Sequence, residues 1–129
     1  MMAEIDVGKH VVHWREDALS SWDDAQYLMK GGRVVFGLFT VHLALEKVIK
    51  ARVIKNTKEL PPRIHNLLSL AALASLILTP EQERLLAKLN TFNIRGRYSD
   101  VPMEKPTPAQ AESVFQQAKE VFEWLIEQL

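Results

Sequence analysis

Residues 34–54 read VVFGLFTVHLALEKVIKARVI, and no other run constrains the fold as strongly. An apolar helix of this kind belongs in the middle of a bundle, covered by other helices. Projected at about 100° per residue, Val35, Leu38, Leu45 and Ile49 share an arc centred on His42, with Glu46 one turn further on. A histidine and a carboxylate inside such an arc need partners, because burying either alone costs roughly 2 kcal/mol or more. The i, i+4 spacing predicts that His42 and Glu46 form a satisfied polar pair in the core. Another side of the helix, Gly37, Thr40, Ala44 and Ala51, is built of small residues. That side lets a second helix approach closely, from this chain or from a twin subunit.

The flanking sequence is helical in pattern, with no segment that reads as a strand. The first helix is expected over residues 9–30, with Val11, Trp14, Ala18, Trp22, Ala25 and Met29 on one stripe and Gly31-Gly32 as its stop. The second runs over 33–54. Pro61-Pro62 makes 56–62 a loop. The third helix is expected over 64–78 and, being apolar nearly throughout, in a central place. Thr79-Pro80-Glu81-Gln82 carries a capping residue, a proline at the first helical position and a glutamine at the third. It opens a fourth helix that ends near Phe92. Thr107-Pro108-Ala109-Gln110 repeats the device and opens a fifth, which should bury Ala111, Val114, Phe115, Ala118, Val121, Phe122, Leu125 and Leu129. Residues 93–106 read as a long connection, the type of segment that carries function in a small bundle. The fold class is therefore all-α: an up-and-down four-helix bundle with a short extra helix, five helices in all, in one domain spanning 1–129.

Composition narrows the chemistry. The chain of 129 residues contains no cysteine, which excludes disulfides, thiol catalysis and cysteine-bound zinc. His42-x-x-x-Glu46 lacks the second histidine of the zinc-protease helix, and there is no glycine-rich phosphate loop, no Gly-x-Ser-x-Gly and no carboxylate cluster for two metals. No metal or resident cofactor is expected. The first residues, MMAEIDVGKHVVHW, lack the apolar run of a signal peptide, and the apolar second helix is interrupted by charge. The expectation is a cytoplasmic protein that does not enter a membrane. Net charge is +0, so no global field draws the chain to nucleic acid. Lys47, Lys50, Arg52, Lys55, Lys58 and Arg63 nevertheless form a basic stretch, opposed by Glu16, Asp17, Asp23 and Asp24 on the first helix.

Short connections make successive helices antiparallel, which would bring three separate groups to one pole: Lys50 to Lys58, Arg63 to Asn66, and Arg95 to Tyr98. The expectation is a basic pole at which Lys47, Lys50, His65, Asn66, Arg95, Arg97, Tyr98 and Asp100 bind a nucleotide, another phosphate-bearing ligand or a partner. Arginine binds phosphate bidentately, tyrosine stacks or donates, and a helix N-terminus favours an anion. Each group also has a plainer reading. Asn66 serves as a helix cap, the arginines as a solvated turn, the lysines as a solvated helix end, and the tryptophans as core.

Four segments together resemble the HEPN domain family (higher eukaryotes and prokaryotes nucleotide-binding). They are His13-Trp14 with the helix that follows; Phe39-x-x-His42-x-Ala44-x-Glu46-Lys47-x-x-Lys50-Ala51; His65-Asn66-Leu67; and Ile94-x-x-Arg97-Tyr98-Ser99-Asp100. The resemblance covers nearly the whole chain. It implies a helical bundle that forms a homodimer, of the stand-alone prokaryotic type that pairs with a minimal nucleotidyltransferase in toxin–antitoxin-like modules, and a nucleotide or RNA as ligand. Two departures stand out. Nuclease members resemble one another in an arginine followed four to six residues later by histidine, and no histidine follows Arg95 or Arg97 here. Ser99 stands where this branch often has proline. The expected function is non-catalytic binding of a nucleotide or of the nucleotidyltransferase. The alternative is an atypical ribonuclease toxin with His65 as acid or base and Arg95 and Arg97 on the phosphate. The second alternative is a purely structural dimerisation module.

Overall fold

The protein is seen in a computed structural model that describes the backbone of residues 5–97 and 104–129 and the side chains of 5–94 and 104–129. Five helices follow one another: α1 (Val7–Lys30), α2 (Val34–Thr57), α3 (Leu67–Leu73), α4 (Pro80–Arg97) and α5 (Pro108–Glu127). No strand occurs among the described residues, and none of their helices is long and apolar enough to cross a membrane.

Local chemistry explains most helix ends. Asp6 caps α1 by accepting from the Lys9 N–H at 3.0 Å. Gly32, at φ 77°, provides the left-handed residue that turns the chain, and the Arg33 N–H returns to the Leu28 carbonyl at 2.9 Å. α2 therefore runs back against α1, close enough that a Cβ on Gly37 would lie 2.7 Å from Met29 Sδ. Thr79 and Thr107 each form the expected reciprocal capping box, with Gln82 and Gln110.

The core sits where α2 is covered by all the others. Trp22 of α1 is its aromatic centre, 5.2 Å from the Phe115 ring and 4.6 Å from that of Phe122, both nearly parallel to it. The two phenylalanines lie two turns apart on α5, roughly 10 Å, so the indole fits between them. α5 buries Ala111, Val114, Phe115, Ala118, Val121, Phe122 and Leu125 as its periodicity predicts, with Leu129 half-buried. Gly37, Thr40, Ala44 and Ala51 are buried by the chain's own elements, so that side of α2 is not available to a twin subunit.

Two helices differ from expectation. The third stops at Leu73 rather than reaching 78. Ser75 adopts φ 56°, and the Ser75 and Leu76 N–H groups return to the Ala72 and Ala71 carbonyls, closing a Schellman turn without glycine. Asn56 of α2 supports the stop by donating to Ser75 Oγ at 3.1 Å and to the Leu73 carbonyl at 3.5 Å. α3 thus buries only Leu67, Leu70 and Ala71, while Ile77 beyond it is 91% exposed. The fourth helix continues to Arg97 instead of ending near Phe92. No proline follows Pro80 until Pro102, and one glycine costs a helix only about 1 kcal/mol.

The largest correction concerns direction. Residues 58–66 do not form a tight turn; they run back along α2 as a strap. At its end His65 reaches Glu46, in the middle of α2, while the end of α3 meets Asn56 near the end of α2. α3 therefore advances in the same sense as α2, and α4 returns antiparallel to it, with Asn90 beside His42. Pro61-Pro62 favours extended backbone, and nine residues cover up to about 30 Å, ample for the return.

Truncating the ring at the core's centre is expected to be costly. Trp22→Ala should lose about 3–5 kcal/mol and lower the melting temperature by about 10 °C or more, read by thermal unfolding.

Candidate functional site

Glu46 is buried, and three of its neighbours carry nitrogen donors. Its Oε2 accepts from Lys50 Nζ at 3.0 Å, one turn along α2. The His65 Nδ1 lies 3.1 Å from Oε1 and 3.2 Å from Oε2. His42 Nδ1 is 3.9 Å from Oε1, too far for a hydrogen bond. The expected i, i+4 pair of His42 and Glu46 is therefore present as a buried close contact without a hydrogen bond. The carboxylate bonds to closer donors, and His42 bonds elsewhere.

Its partner is Asn90 of α4. The Leu67 N–H donates to Asn90 Oδ1 at 3.1 Å, which marks that atom as the acceptor. His42 Nε2, 3.1 Å from the same oxygen, is then a donor. Asn90 Nδ2 donates to Asn66 Oδ1 at 3.2 Å. Asn66 is the N-cap of α3, its Oδ1 also accepting from the Leu68 and Ser69 N–H groups at 3.0 and 3.2 Å. A polar chain thus runs from α4 through the start of α3 to the middle of α2. The sequence analysis missed Asn90, although its place one turn after Leu86 on an otherwise apolar stripe was a usable signal.

His65 is the exposed end of this system. A carboxylate only accepts, so the Nδ1 facing Glu46 carries the hydrogen, and Nε2 of the neutral ring is an acceptor. The side chain is 47% exposed, while that of Glu46 is 6% exposed. A buried carboxylate therefore orients a half-exposed imidazole through its Nδ1. Lys50 is buried, 5.6 Å from the Trp14 ring, and lines a groove of about 360 Å³ between the start of α1 and the strap. His10, His13 and Arg63 line the same groove. Trp14, expected as core, is half-buried there.

Not every predicted site residue joins this cluster. Lys47 points to α1, binding Asp17 at 2.9 Å and Ser21 at 2.8 Å, and ties the two long helices together. Arg95 and Arg97 lie in the last turns of α4, which runs away from Lys50. Counted along the helix axes from the His42–Asn90 contact, the Arg97 backbone is roughly 20 Å from the level of Lys50. The single basic pole expected from simple alternation is therefore not formed. The strap is the reason, because it resets the direction of α3 and hence of α4. Tyr98 and Asp100 lie outside the described residues. No group of three or more metal-ligating side chains occurs among the described residues.

A family model for the HEPN domain matches residues 11–129 of this sequence. The chain belongs to the HEPN family. No curated protein matches it. In this HEPN domain, Glu46, Lys50 and His65, three of the residues that carry the sequence resemblance, form one hydrogen-bonded cluster, and a fourth, Asn66, belongs to a second with Asn90 and His42 that meets the first at the 3.9 Å His42–Glu46 contact. Lys47, from the same short motif as Glu46, lies outside both.

The cluster predicts a strongly asymmetric mutational response. Glu46→Ala strands the buried Lys50 ammonium and should cost about 3–5 kcal/mol in denaturant unfolding. Replacing both partners, Glu46→Leu with Lys50→Met, should recover most of that loss, because no charge is left alone in the core.

Proposed function

We propose that this HEPN chain binds a nucleotide through its phosphates and acts as the non-catalytic member of a two-protein module whose other member is a minimal nucleotidyltransferase. The observation that carries the ligand is the His65 ring, fixed by buried Glu46 beside Lys50 and Arg63. Lys50 is neutralised by Glu46, but Arg63 has no carboxylate within ion-pair distance among the described residues. The site thus favours an anion, and imidazole and guanidinium groups suit phosphate oxygens. The type of HEPN domain that the sequence resembles supports the partner.

Thermal unfolding with ATP, GTP and their di- and monophosphates tests the ligand. At a hundred times its Kd a nucleotide adds about 2.7 kcal/mol, enough to raise the melting temperature by several degrees. Arg63→Ala combined with His65→Ala should remove that rise while leaving the ligand-free protein folded. A double variant that binds as well as the parent would refute the site. For the partner, a nucleotidyltransferase encoded beside this chain should elute with it as one complex in gel filtration.

The Glu46–His65 geometry also favours a second reading. A carboxylate-held imidazole with a free Nε2 is the arrangement of a general base, so a ribonuclease toxin using His65 remains in view. Expression without a partner would then arrest growth, and His65→Ala would relieve the arrest. Normal growth of the parent strain would remove this reading.

A further inference from the structure

We propose that the groove between the start of α1 and the strap is the base subsite of the nucleotide site, in which the ligand's aromatic ring stacks on Trp14. This rests on the nucleotide reading above and specifies how the ligand is recognised. The phosphates sit at Arg63 and His65, and the base lies in the groove.

The groove has the chemistry of a stacking slot. The half-buried indole of Trp14 lines it together with Leu60 and Pro61-Pro62 of the strap. Prolines are stiff and carry no N–H, so Pro61 and Pro62 offer no donor to a base edge. Trp14 itself is held in place: Lys50 Nζ stands 5.6 Å from its ring, and His13 meets its edge at 6.1 Å with the planes 77° apart. A preset ring loses little freedom when a second ring lies on it, and stacking tolerates any base because every base has a π face.

Charge sets the orientation of the ligand. Among the described residues no carboxylate lines the groove, whereas His10, His13, Lys50 and Arg63 all do. The polar end of the ligand is therefore its anionic end. Lys50 belongs to both halves, lining the groove and donating to Glu46, which in turn holds His65. Arg63 lines the groove as well, so the base and phosphate positions adjoin at Lys50 and Arg63. The volume, about 360 Å³, is at the small end of the usual ligand range of about 300–1,000 Å³. It suits one nucleoside rather than a dinucleotide. The ligand class that follows is a mononucleotide of any base, purines binding more tightly than pyrimidines through larger ring overlap. Inorganic polyphosphate should bind weakly.

Titration calorimetry with ATP, UTP and tripolyphosphate tests this. The parent protein should bind ATP more tightly than UTP, and both more tightly than tripolyphosphate. Trp14→Leu should weaken ATP binding by about ten-fold or more, to the level of tripolyphosphate, and leave tripolyphosphate unchanged. Trp14→Phe, which keeps a ring, should retain most of the affinity. A readout on the unmodified protein guards against misfolding of the leucine variant. The Trp14 indole N–H signal, assigned by its loss in Trp14→Phe, should move with ATP and stay still with tripolyphosphate. Equal binding of ATP and tripolyphosphate, with a stationary Trp14 signal, would overturn the base subsite and leave phosphate binding standing. Failure of the parent protein to bind any of the three would overturn both.

Discussion

A carboxylate buried in the middle of the central helix is the constraint from which the architecture around the site follows. Glu46 lies among apolar neighbours, and an uncompensated charge there would be prohibitive. Lys50, one turn along, supplies one partner from the same helix. The second donor, His65, comes from a residue nineteen positions later in sequence. Reaching it requires the chain to leave the end of α2 and travel back along it. The strap, the sense of α3 and the return of α4 all follow from that requirement. Such an arrangement is weak evidence of stability as such, since apolar residues would serve as well. Its effect is on specificity, by selecting one path for residues 58–66.

The helices were legible because their signals are local. Two capping boxes, a double glycine and the stripe of α5 each lie within one or two turns of sequence, and the structure follows them. The errors arose where the deciding partner was distant. α3 stops at a serine in the left-handed conformation, and the asparagine that receives this turn belongs to α2. Nothing between residues 64 and 78 marks the stop. The direction of α3 was misjudged for a related reason. Alternation assumes that a connection is a turn, whereas residues 58–66 are a strap whose length matters more than its ends.

The site was readable in the same uneven way. Glu46, Lys50, His65 and Asn66 stood out as polar residues in apolar or helix-start surroundings, and they fall in two hydrogen-bonded clusters that touch at His42 and Glu46. Their pairing was not readable. Helical spacing put His42 with Glu46, and the two do meet at 3.9 Å, but the hydrogen bonds of the carboxylate go to Lys50 and His65 and that of His42 Nε2 to an amide on another helix. The groove was invisible because its walls come from the start of α1 and from the strap, which sequence alone gave no reason to set face to face. Lys47 shows the converse. It sits inside the most informative motif, yet its side chain serves only to join α1 to α2.

Asn90 has an effect beyond its own hydrogen bonds. The apolar stripe of α4, Leu85, Leu86, Leu89 and Phe92, repeats every three or four residues. A helix with such a stripe can slide by one turn and still present leucines to the core, so hydrophobic packing alone leaves several alignments nearly equal in energy. Asn90 adds hydrogen bonds that depend on register, although a second asparagine, Asn93, follows one turn later. Its amide meets His42, Asn66 and the first backbone N–H of α3 at once, and a shift by one turn would break all three contacts and bury an unsatisfied amide. This single side chain therefore acts as a key that fits one notch. It favours one register over its neighbours, and it does so at the helix that faces the functional cluster from behind.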